Sequence, residues 1–130
     1  MDLITIARES GLEFEVRVRG HVVRTDMSEA DGGHDRGPSP SELLAGSLGA
    51  CVAMMVQHYC DRHGRTDGDV GVALTLELAD DPKRISAIVV DVDLPRDVPE
   101  EDLAVVRRIA EKCVIHGTLA CPPKVDIEFV

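Results

Sequence analysis

The sequence predicts an α+β fold with a mainly antiparallel sheet and two helices, one of them long, central and buried. Three observations carry this. Two stretches alternate apolar and polar residues like hairpins, a strong helix start precedes a long run of apolar and small residues, and no repeat or linker interrupts the 130 residues. Residues 1–130 are therefore expected to form one domain.

In the first hairpin Leu12, Phe14, Val16 and Val18 share a face, Gly20-His21 turns the chain, and a second strand runs around residues 22–25. The loop at residues 27–38 holds Gly32, Gly33 and Gly37 without apolar periodicity, and is expected to lie on the surface and move. Ser39-Pro40-Ser41-Glu42 then forms a capping box, with Ser39 as N-cap, Pro40 at the first helical position and Glu42 reaching back. The helix should run to about His63 and stop at Gly64, with residues 43–56 buried on every side.

Alternation resumes at Val70, Val72, Leu74, Leu76 and Leu78, and residues 80–83 make a turn. The return run, 84–94, is apolar on both parities, as a more central strand would be. Asp97 is expected to cap a second helix, with Glu100 at its third position and its end near Cys113. Residues 124–130 alternate as a last strand.

Lys and Arg total 14 against 24 Asp and Glu, a formal charge of −10, and the only aromatics are Phe14, Tyr59 and Phe129. That balance repels phosphate backbones and anionic lipids and offers no base-stacking platform, which argues against nucleic acid and membrane partners. No apolar run approaches the ~20 residues of a membrane span, and the first ten residues lack the pattern of a secretory signal. A cytoplasmic protein is expected, whose four cysteines are reactive, metal-binding or buried rather than structural bridges.

Cys51 lies mid-helix among Gly46, Ser47, Gly49 and Ala50, with Met54, Met55 and His58 on its face. Buried, it would be a small hydrophobe with a raised pKa, and it lies too far along its helix for that macrodipole to activate it. A reactive Cys51 thus calls for a cation, with Arg17, Arg19, Arg24 and Arg36 as candidates. Cys113, from the second helix, is the cysteine placed to meet Cys51 across a core; Cys51 would then be the nucleophile and Cys113 the resolving thiol. Cys60 falls half a turn out of phase with Cys51, and Cys121 precedes Pro122-Pro123 in a loop. A second class of reading joins Cys60-x-x-His63 to Cys113-x-x-His116 as a metal set, although neither pair is a recognised knuckle. No metal and no cofactor are expected.

Gly37-Pro-Ser-Pro-Ser-Glu-Leu-Leu-Ala-Gly-Ser-Leu-Gly-Ala-Cys51 and Ile109-Ala-Glu-Lys-Cys113-Val-Ile-His116-Gly-Thr-Leu119 resemble the OsmC/Ohr family, in its broader OsmC-like branch. The resemblance implies an intertwined α+β homodimer with two sites at its interface. It further implies a peroxidase for organic (lipid or aryl) hydroperoxides. In such a peroxidase Cys51 becomes a sulfenic acid, Cys113 closes a disulfide, and a dithiol reductant restores both. A Glu near the helix start and an N-terminal Arg accompany the reactive Cys in that family, carried over here to Glu42 and Arg19. Ser41 stands where the family has its Glu, and Val114 and Gly117 replace the Pro and Arg of its Cys-Pro-Val-His-Arg-Thr-Leu. These departures keep open a redox-sensing or ligand-binding dimer without efficient turnover.

Overall fold

The computed structural model describes residues 2–130, which divide into two compact units, one ending at Leu44 and the other covering Ala45–Val130. The first unit holds an antiparallel meander of β1 (Thr5–Ser10), β2 (Glu13–Val18) and β3 (His21–Thr25). Strand β1 escaped the sequence reading because all six of its residues are exposed, leaving no buried face to set a period. The turn is Arg19-Gly20 rather than Gly20-His21. Both turn residues have positive φ, +49° and +81°, and Val18 pairs directly with His21. A two-residue turn of that kind matches the twist of the strands it joins.

One polar residue of β2 is buried: Glu13 is 1% exposed. Its carboxylate lies 3.3 Å from Arg24 and 3.8 Å from Arg36, while Glu15 pairs with Arg24 and Arg17. Asp26, also 1% exposed, organises the following loop, accepting from the N–H groups of Met27 (2.8 Å), His34 (3.2 Å) and Arg36 (3.2 Å). The loop at 27–38 therefore departs from the expectation of an unanchored segment. It contains a 3-10 turn, Glu29–Asp31, and is tied at three amides to one buried carboxylate. Burial pushes the Asp26 carboxyl up, but those amides and the nearby His34 outweigh it and hold the pKa below its ordinary value.

Helix α1 (Pro40–Arg62) opens with the predicted capping box. Ser39 N–H donates to Glu42 Oε1 at 3.0 Å, and Glu42 N–H donates to Ser39 Oγ at 3.2 Å. It ends as predicted at Gly64, whose φ of +67° lets Arg65 N–H reach back to the Cys60 carbonyl at 2.8 Å.

From Ala45 onward the helix belongs to the second unit, where Leu48, Val52, Val56 and Cys60 form the core with Val106 and Cys113. Burial is one-sided rather than complete: Gly46, Ser47 and Ala50 are exposed and Met54 is 71% exposed. By length and composition α1 would suffice to cross a membrane, with mean hydropathy 1.4 in its apolar window, which corrects the reading that no run comes close. A third of that window is buried against the unit's own sheet and helices, as in a core helix.

Strands β4 (Gly71–Ala79) and β5 (Arg84–Asp93) form an antiparallel pair, with Val72, Leu74 and Leu76 opposite Val92, Val90 and Ile88 on the face that packs on α1. Among the described residues β5 has one neighbour, so its apolar residues on both parities do not mark a central strand, and Val89 is 51% exposed.

The second helix begins later than predicted. Pro99 holds an extended backbone before a 3-10 turn, Glu100–Asp102, and α2 covers Leu103–Glu111. Asp97 does not cap it; its carboxylate accepts from the N–H groups of Thr66 (3.1 Å) and Asp67 (3.2 Å) instead. Asp102 is turned to Tyr59 Oη and Arg65 Nη2, each at 3.3 Å. Beyond α2 the chain breaks at Cys113 and restarts as a third helix, α3 (Val114–Ala120). Among the described residues the segment expected to make a last strand, 124–130, pairs with no strand, and Val125, Ile127 and Phe129 are 75%, 80% and 97% exposed.

Candidate active site

A helix that stops and restarts creates a fresh set of unpaired N–H groups. Cys113 occupies that break. It is the N-cap of α3, with an extended backbone and a sulfur that accepts from His116 N–H at 3.3 Å. The second helix does end near Cys113, whose N–H donates to the Ala110 carbonyl at 3.3 Å, and the same residue opens a further helix that was not predicted. Cys is not among the preferred N-caps, so the restart after Cys113 left little trace in the sequence.

The first turn of α3 also serves Cys51, half-buried on α1. The N–H groups of Ile115 and Val114 donate to its sulfur, and so does the Cys113 thiol. The Cys113 hydrogen bond is the largest influence on Cys51. With the two amides it outweighs burial and brings the thiol below the ordinary range. Cys113 moves the other way: burial pushes it up, and donating to Cys51 raises it further, against the His116 and Ile115 amides. At 1% exposure it is sealed in the core. Of the two sulfurs, Cys51 loses its proton first and Cys113 retains one to donate. The lowering arises from amides and a neighbouring thiol, where the sequence reading called for a cation.

The other candidates belong to the first unit and are engaged there. Glu42 closes the capping box, and its pKa is lowered by the Ser39 N–H and hydroxyl. Arg19 sits in the β2–β3 turn with Nε 3.6 Å from Asp2, while Arg17, Arg24 and Arg36 pair with Glu15 and Glu13. Cys60 is fully buried and burial raises its pKa; Cys121, at the C-cap of α3, is exposed. The two Cys-x-x-His pairs are not gathered: among the described residues no cluster of three or more metal-binding side chains occurs. His63 Nδ1 lies 2.9 Å from the Tyr59 carbonyl. An apolar cavity of about 760 Å³ opens beside the core, lined by Leu48 and Val52 of α1, Ile88 and Val90 of β5, and Val106 of α2. Met54 and Met55, which share the helix face of Cys51, do not line it.

A family model described as OsmC-like protein matches residues 32–128, a span that contains Glu42, Cys51 and Cys113 but not Arg19. A search of curated protein sequences found no match. Among solved structures, the chain is similar to an OsmC like protein from Mycoplasma pneumoniae (TM-score 0.77, 14% identity, 92% of this chain and 87% of that one). It is also similar to the organic hydroperoxide resistance protein OsmC of Legionella pneumophila (TM-score 0.63, 17% identity, 92% and 88%). A third is the organic hydroperoxide resistance protein OhrB of Bacillus subtilis (TM-score 0.61, 19% identity, 91% and 90%).

Proposed function

The chain belongs to the OsmC-like family, and from that premise we infer that it is a thiol-dependent peroxidase for organic hydroperoxides. One observation carries the reading: Cys51 packs against the core that contains Cys113, and the interaction between the two thiols lowers the Cys51 pKa while it raises that of Cys113. The Cys51 thiolate attacks the terminal oxygen of ROOH. The O–O bond breaks, Cys51 becomes a sulfenic acid, and the alkoxide takes a proton and leaves as ROH. The Cys113 sulfur then attacks the Cys51 sulfur, forming a disulfide and releasing water. A dithiol reductant returns both thiols and is itself oxidised to its disulfide. The family resemblance also offers Arg19 and Glu42 as candidates for the cation and the carboxylate that such a peroxidase uses.

A homodimer is part of the same reading. Its support is the uncovered side of α1 around Ala50 and Met54, and the exposed alternating residues Val125, Ile127 and Phe129. A cytoplasmic setting, with a dithiol pool to regenerate the pair, fits the free cysteines.

The test is to treat reduced protein with one equivalent of cumene hydroperoxide and map cysteines by mass spectrometry. A Cys51–Cys113 disulfide, reversed by dihydrolipoamide, is expected; unchanged thiols overturn the peroxidase. A second reading, a redox-sensing or ligand-binding member without efficient turnover, is favoured by one observation. The fold agrees better with the OsmC like protein (TM-score 0.77) than with the two hydroperoxide resistance proteins (0.63 and 0.61). Disulfide formation without repeated turnover is the result that would favour it.

A further inference from the structure

The cavity beside the core has apolar walls and a charged mouth. Leu48, Val52 and Val56 of α1 form one wall, and Ile88, Val90 and Val92 of β5 form another. Val106 and Ala110 of α2 face them. At about 760 Å³ the cavity falls among small-molecule sites, which run from about 300 to 1,000 Å³ and are mostly apolar with a few polar groups that fix orientation. Neither Cys51 nor Cys113 lines it.

Its polar lining comes from Arg107, Arg108 and Glu111 of α2 and His116 of α3. Two permanent cations and a histidine thus meet one carboxylate at this mouth, on a chain whose formal charge is −10. Among the described residues neither Arg107 nor Arg108 forms an ion pair, although five other arginines do. The walls would solvate a hydrocarbon chain, and the unpaired guanidinium groups suit a planar anion that accepts two parallel hydrogen bonds.

We propose that this cavity binds a long-chain monocarboxylate, its acyl chain between α1, β5 and α2 and its carboxylate at Arg107 and Arg108. No peroxide chemistry is needed for this binding. The complementarity is between an anionic head with an apolar tail and a cationic mouth with apolar walls. A second copy of the chain would need an apolar protrusion flanked by carboxylates to fill the same space.

Isothermal titration calorimetry of the reduced, full-length protein with octanoate, decanoate and laurate tests this, with 1-decanol as the uncharged control. Affinity is expected to rise about fourfold per methylene, the factor for burying one CH₂ group. Decanoate should bind at least tenfold more tightly than decanol, and Arg107→Gln/Arg108→Gln should erase that preference while leaving decanol binding intact. Ala104→Phe, at an exposed position on the lining, should block both ligands. Cys51→Ser should keep the binding, so a failed peroxidase and a failed binding site give separate results. No binding overturns the proposal. So does equal binding of acid and alcohol, or an Ala104→Phe variant that dissociates a dimer while the wild type binds neither ligand.

Discussion

Gly49 of α1 faces Leu74 of β4 so closely that a Cβ on the glycine would stand 2.5 Å from Leu74 Cδ1, with Val72 Cγ1 at 3.6 Å. The helix carrying Cys51 can lie against the sheet because this position has no side chain. Two residues on, the backbone presents Cys51 towards α3.

Substitution at Gly49 sets two effects against each other. Alanine gains about 1 kcal/mol of helix propensity, while crowding a packed contact costs about 1–3 kcal/mol. The contact is with the end of a flexible side chain, so Gly49→Ala is expected within about 1 kcal/mol of wild type. Gly49→Leu cannot be accommodated by one rotamer change and should lower stability by at least 2 kcal/mol. Urea midpoints decide it; equal midpoints for the two variants would show that the helix does not lie this close.

The thiol pair predicts an ordered pH response. Because the Cys51 pKa is lowered, its alkylation by iodoacetamide should persist to lower pH than that of a free model thiol, and fade as pH falls through that pKa. Cys113→Ala removes the largest lowering influence and should move the Cys51 profile to higher pH. Cys113→Ser, which keeps a donor, should recover part of the shift. A profile unmoved in the alanine variant would mean that the two sulfurs do not share a proton.

Glu42 can be separated into cap and charge. Glu42→Gln keeps a side chain that closes a capping box but removes the carboxylate. If Glu42 completes the peroxidase site, the variant should reduce cumene hydroperoxide at least tenfold more slowly with a nearly unchanged urea midpoint. Ser39→Ala should do the reverse, costing about 1 kcal/mol without altering the rate. An unchanged rate in Glu42→Gln would leave the residue as a cap alone.

Asp26 predicts an acid-sensitive loop. Its folded pKa is below the unfolded value of about 3.9, so the carboxylate contributes stability above that pH and loses it as pH falls through the folded pKa. Amide exchange at Met27, His34 and Arg36, corrected for intrinsic rates, should therefore accelerate selectively below about pH 4. Asp26→Asn should show faster exchange at those amides already at neutral pH. Uniform acceleration over the whole unit would argue against a local tether.

Self-association rests on exposed apolar residues. Light scattering should give twice the 14.1 kDa chain mass, and Ile127→Asp with Phe129→Asp should return it towards the monomer. A monomeric wild type would remove the dimer from the functional reading.

Where the sequence dictates structure locally, it could be read. The capping box at Ser39 and Glu42, the stop at Gly64 and the β4–β5 alternation all appear where side-chain chemistry places them. Two motifs around Cys51 and Cys113 identified the family. The misses share another cause. Asp97 satisfies two amides some thirty residues away in sequence rather than a helix start, and Glu13 is buried by arginines from other strands and loops. The amides that lower Cys51 belong to Val114 and Ile115, whose side chains carry no chemistry to notice.

That main-chain origin has a consequence for variation. A sulfur held by a carboxylate or a guanidinium depends on which residue occupies one position; a sulfur held by peptide N–H groups depends on where a helix begins. Val114 and Ile115 can change identity freely without touching the two donors, with proline the one replacement that deletes an N–H outright. Proline at residue 114 would still suit the first position of α3, since helices accept it there. Val114→Pro would thus keep the fold and take away one contact to Cys51, so that a substitution without any functional group retunes the acidity of a thiol.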